Sequence, residues 1–485
     1  MKKRLSAFSF QLSALRKKLT TRTSRGYFVL LVLVFSAVFL TLISALAGFI
    51  FIEKKVQIAK EQREQALHIA EAGLEYYRWF LAHNPDDLTD GTGQPGPYEH
   101  DIADPEGGML GTLSLQIGGD TFCGQITSVL IESTGWTAAN PAYKRTLTAR
   151  HMRPSVADYS TIVNSNVWAG ADRIITGPYH SNQGVRMDGT HNADVSSGVS
   201  SWLCTATFGC SPSQTKNGVF GSGSNPALWK YPAPPIDFAG LTVDLSDLQG
   251  YAMSSGVYIP PSGKYGWHIT FNADGTVSAR KVNGTIQIWG YTIENGWQKE
   301  RSVMSNTQAV TTYTVPPDCP VVFVEDDVWL DGVVSGQATL AAADVDTPNV
   351  DRSIILNNNI TYANPKGDGL TAIGENDVLV GLQTPDTMTI NGVFIAQLGR
   401  FGRNHYSTTY LPSSLDQYVT RATLNTNGTV VSNGRVGTKW TSGGSYVSGY
   451  NQRNDTYDIE LAKNPPPFTP ATSDDFKFVE WREQQ

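Results

Sequence analysis

Tyr27 to Ile52 is a run of 26 residues without a formal charge, and no other feature of this 485-residue chain restricts its folding so tightly. As a helix rising roughly 1.5 Å per residue it reaches about 39 Å, enough to cross a hydrocarbon layer of about 30 Å with some tilt. A soluble core helix would need a polar stripe, which the run lacks. A cleaved secretory signal would be shorter and end at a small-residue site, whereas this run continues into Glu53-Lys54-Lys55. Residues 1–26 carry eight basic and no acidic side chains. Such a leader is expected on the cytoplasmic side of a membrane, with everything after Ile52 exported.

The formal charge is −7 and the leader supplies +8, so the rest of the chain carries −7 − 8 = −15. A body that acidic offers no basic surface for releasing phosphate counterions, and nucleic acid is not an expected partner. The 433 residues beyond the run suffice for two or three globular units. Cys123, Cys204, Cys210 and Cys319 are disulfide candidates in an oxidising compartment; Cys204 with Cys210 would close a short loop, but three connectivities stay open.

The fold class expected is α+β overall. The helix should continue through 53–83, since Ala59, Ala66, Ala70, Gly73, Tyr77 and Leu81 recur at three-and-four spacing until Asn84-Pro85 ends it. A small headpiece sheet is expected over 84–153, with three antiparallel strands near 111–118, 124–135 and 143–150 laid on the aromatic end of the helix. From 154 to 440 short β-rich runs such as Val321-Val-Phe-Val and Gly392-Val-Phe-Ile alternate with turn residues. They predict a right-handed parallel β-helix, with a β-sandwich as the alternative. An inserted β element is expected at about 232–297, and a Pro-containing segment over 441–485.

Arg25-Gly26 before the apolar run, the run itself, and Ala66 through Ala70-Glu71-Ala72-Gly73-Leu74-Glu75 together resemble the N-terminal region of PilX-like minor pilins of type IV pilus assembly. The resemblance covers roughly the first 85 residues. It implies cleavage after Gly26 to expose Tyr27, and assembly with other pilin-like subunits through the helix. Pilins usually place Glu at the fifth mature position; here that position is Leu31, which removes a carboxylate able to pair with a neighbour's amino terminus. Ser44 and Gly48 add a small-residue pair that admits close helix approach. Leu31, Ser44, Gly48, Ala70, Glu71 and Gly73 are thus the candidate stem-assembly residues. Ile131 to Arg150 is similar to the sheet that follows a pilin stem, and Gly177 to Gly189 to a solenoid turn of large exported pilin-like proteins.

Other motifs carry less chemistry. Gly91-Thr-Gly93-Gln-Pro-Gly96 matches a dinucleotide fingerprint by letter, yet no strand precedes it, no helix follows, and prolines interrupt it. Asp344, Asp346, Asn349 and Asp351 could hold calcium, although the EF-hand glycine and terminal glutamate are missing. Glu325, Asp326, Asp327 and Asp331 could form the acidic face of a carbohydrate-active enzyme of lyase or glycosidase type, or merely solvated strand ends. His180 and His191 could approach across a turn but lack a third metal ligand. Trp202, Trp229, Tyr265, Trp267, Trp289 and Trp297 are candidates for stacking on sugars. The expectation is a non-enzymatic, single-pass, pilin-like surface protein without a cofactor, its β ectodomain meeting glycans or other surfaces. The alternatives are the anchored carbohydrate-active enzyme and a passive envelope protein.

Overall fold

The computed structural model describes residues 25–84, 87–241, 244–347 and 350–484. The leader up to residue 24, and Asn349 of the candidate cation set, lie outside the described residues.

One unbroken helix runs from Arg25–His83. Its side chains from Tyr27 to Ile58 are exposed apart from partial shielding at Ala47 and Gly48. Further along, Ala66, Ile69, Ala70, Leu74, Tyr77, Phe80 and Leu81 are buried, a stripe at helical spacing against Leu113, Leu115, Ile131, Leu147 and Ala149 of a sheet. Two glycines let helix and sheet touch. A Cβ on Gly135 would sit 2.4 Å from the Ala66 carbonyl oxygen and 2.5 Å from the Ala70 nitrogen, and one on Gly73 would sit 2.2 Å from Ser133 Oγ. The Asn84 amide closes the helix on the Phe80 carbonyl at 2.9 Å. Asp87 then folds the following turn by accepting from the Thr89 and Gly91 amides at 2.7 and 3.0 Å.

The sheet under the helix is antiparallel with five strands in the order Tyr98–Ala103, Met109–Phe122, Gln125–Thr137, Asn140–Met152, Lys477–Glu483. The three expected strands lie within it. The last strand comes from the far end of the chain, with Trp481 opposite Ala149 and Glu483 opposite Leu147. The terminal segment is therefore a working edge of the headpiece as well as an extended stretch. The dinucleotide-like glycines fall in the turn before Tyr98–Ala103, which is a strand where that fingerprint would need a helix.

Beyond the headpiece the short strands pair in parallel along several ladders. One column of residues is in continuous register: Ile259, Val324, Ala342, Gly374, Ala396, Ser432, Val163, Ser181 and Ser197. The column is out of sequence order. The chain leaves the headpiece into the strands of 161–197, crosses through 232–241, and restarts at the opposite end with helix Leu245–Ser254 and strand Val257–Ile259. It then advances until Thr420–Ser432 reaches the first strands. Val321–Val324 is buried at every residue, as expected for a parallel strand covered on both faces. Its inner side belongs to the core that also holds Ile269, Leu340, Leu356 and Phe394, while Phe323 and Val321 face a second cluster with Leu245, Leu248 and Ala252. At the stacked bends Gly428 lies beside Gly392, both at positive φ, and a Cβ on Gly428 would reach 2.2 Å from the Gly392 carbonyl. Side-chain amides stack along the same axis, with Asn427 donating to Asn391 and Asn454 to Asn425 at 2.8 Å each.

Region 232–297 divides differently from the single inserted element expected. It contributes a covering helix, two strands that open the ladder, and one arm of the long hairpin Thr276–Thr292 with Gly296–Thr307. Disulfides join Cys123 to Cys319 and Cys204 to Cys210. The first ties the headpiece turn to the approach of strand Val321–Val324, across 196 residues.

Candidate functional site

The stem residues fall into two groups. Leu31 and Ser44 are exposed and Gly48 has open space around it, so all three are open to contact. Ala70 and Gly73 are not. Both are buried against the chain's own sheet, which occupies the surface expected to serve assembly. Glu71 keeps a half-exposed carboxylate 3.0 Å from His68 Nδ1. Gly26 and Tyr27 lie in the first turn of the helix, with Tyr27 exposed.

The calcium expectation is corrected by a neighbour. Arg352 places Nη2 2.9 Å from Asp344 and Nη1 3.2 Å from Asp326, so a guanidinium already neutralises the best cation ligand. Asp344 also accepts from the Thr347 amide at 3.0 Å, and Asp346 from Gln249 at 3.4 Å, while Asp351 points to solvent. Among the described residues no three His, Cys, Asp or Glu side chains converge as a metal set.

The acidic face is similarly committed. Tyr258 donates to Glu325, and Ser262 donates to Asp326 through both its amide and hydroxyl, at 2.9 and 2.6 Å. Asp331 accepts from Thr270 and Asn357 at 2.9 and 3.1 Å and lies 2.9 Å from His268. Burial raises the Asp331 carboxyl, but the hydrogen bonds from His268, Asn357 and Thr270 outweigh burial and hold it below the usual carboxylate range. Asp327 goes the other way. Burial pushes it up to about 6, against the opposing hydrogen bond from the Ser353 amide at 2.8 Å.

His180 and His191 do not meet. His180 bridges Ser196 and Asn182 at 2.8 and 2.9 Å, whereas His191 accepts from the Trp229 indole at 3.2 Å. Of the candidate sugar-stacking rings, Trp202 and Trp267 are buried, while Trp289 and Tyr265 are 38% and 39% exposed. Trp297 alone among them joins a larger aromatic assembly.

That assembly borders an open groove of about 680 Å³. Its walls are the tip of the long hairpin around Tyr291, the stacked bends at 400–405 and 435–440, and Trp168 to Asp172. The Tyr291 and His405 backbones exchange two hydrogen bonds of 2.9 Å, fixing the hairpin tip to the ladder. The His405 ring then lies 5.4 Å from Trp297, 5.6 Å from Trp440 and 6.2 Å from Tyr291, and Tyr410 packs edge-on to Trp297 at 4.6 Å. Burial depresses the His405 pKa, so the imidazole is neutral at pH 7. The Trp440 indole donates to the Arg403 carbonyl at 2.9 Å, which locks that ring. A second groove of about 730 Å³ adjoins the first and shares Thr207, Ile293, Glu294, Arg400 and Arg435 with it. Sequence reasoning named Trp297, which packs on His405 and Tyr410 without lining either groove, but missed Trp440, His405, Arg400 and Arg435. Nothing local marks them, because the groove assembles from bends scattered between 168 and 440.

These observations define a class: a mostly β ectodomain carried on one long helix whose apolar part is compatible with a single membrane span. No family model matches the chain, and no curated protein matches it. Among solved structures it is similar to the competence-associated pilin ComZ from Thermus thermophilus, at 13% identity over 87% of this chain and 97% of that one, with a TM-score of 0.27. A superposition that loose carries no argument.

Proposed function

We propose that the protein is a non-enzymatic, pilin-like surface protein, anchored by its N-terminal helix with the N-terminus cytoplasmic, that presents a parallel β-helix for adhesion or envelope contact. The observation that carries this reading is the division of labour along the one helix Arg25–His83. Its first half offers an exposed apolar cylinder, and its second half is buried under the chain's own sheet. The likeness to PilX-like minor pilins adds the expectation that the stem packs among other pilin-like helices, through Leu31, Ser44 and Gly48. The parallel register of the strands supports the β-helix over the sandwich.

The rival reading as a carbohydrate-active enzyme would use Asp327, whose carboxyl burial raises to about 6. Its neighbours Glu325, Asp326 and Asp331 are already engaged by hydroxyl, amide or imidazole donors. They are suited to holding the ladder together more than to moving protons. The test of the proposal is mass spectrometry of the N-terminus after expression beside a prepilin peptidase, comparing the native chain with Gly26→Val. A new start at Tyr27, abolished by the substitution, supports entry into pilus assembly. An uncut chain in both cases refutes that entry and leaves a permanent single-pass anchor.

A further inference from the structure

Arg400 and Arg435 stand on the ridge between the two grooves and line both. They occupy successive stacked bends, since the Gly434 amide donates to the Gly399 carbonyl at 2.7 Å and Gly434 abuts the Arg400 Cβ. Adjacent rungs of a sheet lie roughly 4.8 Å apart, so the two guanidiniums rise from neighbouring rungs. Arg400 donates to the Asn404 side-chain oxygen, and Arg435 to the Thr207 carbonyl at 3.0 Å while stacking over Phe208. Among the described residues neither guanidinium makes an ion pair within 4.0 Å, although the Arg400 amide donates to Asp377 at 2.7 Å and Glu294 lines both grooves beside them; the other basic residues of the groove, Arg453 and Lys439, pair with Asp172. Two half-buried guanidiniums outside any close ion pair are therefore found in a chain whose remainder beyond the leader is strongly acidic.

We propose that the paired grooves bind a carboxylate-bearing oligosaccharide, its acid group held by Arg400 and Arg435 and a sugar face laid on the Trp440 ring that lines the first groove. Guanidinium forks match planar carboxylates, and the half-buried Trp440 indole offers the apolar surface that a pyranose face covers. The second groove offers hydroxyl groups the side-chain amides of Asn166, Asn295 and Gln298 and the acceptor oxygens of Glu294 and Asp377. A polyphosphate would ask for a longer row of cations than two, and would meet an acidic body. The inference rests on the displayed-ectodomain reading for its setting, but binding is measured on the purified chain, so its failure leaves the result at the N-terminus untouched.

The experiment uses the full chain in lipid nanodiscs, titrated by calorimetry and indole fluorescence with oligogalacturonate, oligosialic acid, carboxyl-reduced oligogalacturonate and a thymidine oligonucleotide. Saturable binding of one acidic sugar with altered indole emission is expected. It should weaken at least about tenfold for the carboxyl-reduced sugar, and likewise in Arg435→Gln with an unchanged circular dichroism spectrum. The reduced sugar tests the same contact without any change to the protein. The proposal is overturned by no saturable binding of either acidic sugar, by equal binding of the reduced one, or by tighter binding of the oligonucleotide.

Discussion

The Asn164 side-chain amide donates to the Asn433 side-chain oxygen at 2.8 Å, joining positions 269 residues apart. Asn182 donates to Asn164 in turn at 2.9 Å, so one amide row crosses the seam where Thr161–Val163 docks beside Val430, Val431 and Ser432. Asn164→Ala leaves Asn433 without its donor and Asn182 with only the Ile236 carbonyl as acceptor, a loss of about 1–3 kcal/mol. Hydrogen exchange should then quicken over 161–197 while 321–374 keeps its protection. Uniform loosening of both regions would show that the seam is not a separate weak point.

Gly135→Val drives a branched side chain into the backbone of the stem helix at Ala66 and Ala70. Overpacking against backbone has no flexible partner to yield, and about 3 kcal/mol or more is the expected cost. Limited proteolysis should open the turn at 87–97 in this variant, whereas Gly118→Val, with nothing near its Cβ, leaves the cleavage pattern as it was.

Replacing Cys123 and Cys319 by Ser frees a tie spanning 196 residues and should cost about 2–4 kcal/mol. The same change at Cys204 and Cys210, only six residues apart, removes less chain-closure entropy and should lower the melting temperature less. Thermal denaturation of both double variants checks the order.

Two buried groups give opposite pH dependences. Burial, aided by Arg78, lowers His151 from 6.5 to about 4, and neither ring nitrogen has a hydrogen-bond partner. The unfolded chain therefore takes up that proton first, and the His151 contribution is lost as pH falls from about 6.5 toward 4. Asp327, raised from 3.8 to about 6, binds its proton first in the folded state, so its contribution is full below about 4 and lost as pH rises through about 6. Each amounts to about 3 kcal/mol at most. Relative to wild type, His151→Phe should gain stability on acidification across this window and Asp327→Asn should gain it on going to neutral pH. Denaturant titrations at pH 4 and 7.5 read both signs, and parallel curves for all three chains would refute the assignment.

The stem was legible because a 3.6-residue period and an uncharged run report directly on local geometry: Ala66, Ala70, Tyr77 and Leu81 could be placed on one face before any partner was known. Short strands were legible for the same reason. Their neighbours were not, since each rung offers the next the same amides and carbonyls, and nothing in Thr161–Val163 says that its partner is Val430. The return of Lys477–Glu483 to the headpiece, and the groove at His405 and Trp440, depend on that hidden order. The cation expectation failed on a residue adjoining the motif. Asp344, Asp346 and Asp351 suggest cation ligands by side-chain type alone, whereas Arg352 next to them sets its own charge 2.9 Å from Asp344.

Three links carry the ectodomain on its stem: the backbone leaving strand Asn140–Met152, the Cys123–Cys319 bond, and the terminal strand laid along 147–152. A tug on the outer grooves is consequently shared, with covalent bonds in two routes and a lengthwise-loaded strand in the third. A protease that nicks the exposed Gly443-Gly444 bend severs the chain without shedding either piece, because one fragment stays bolted to the headpiece and the other is clamped by strands at both of its ends.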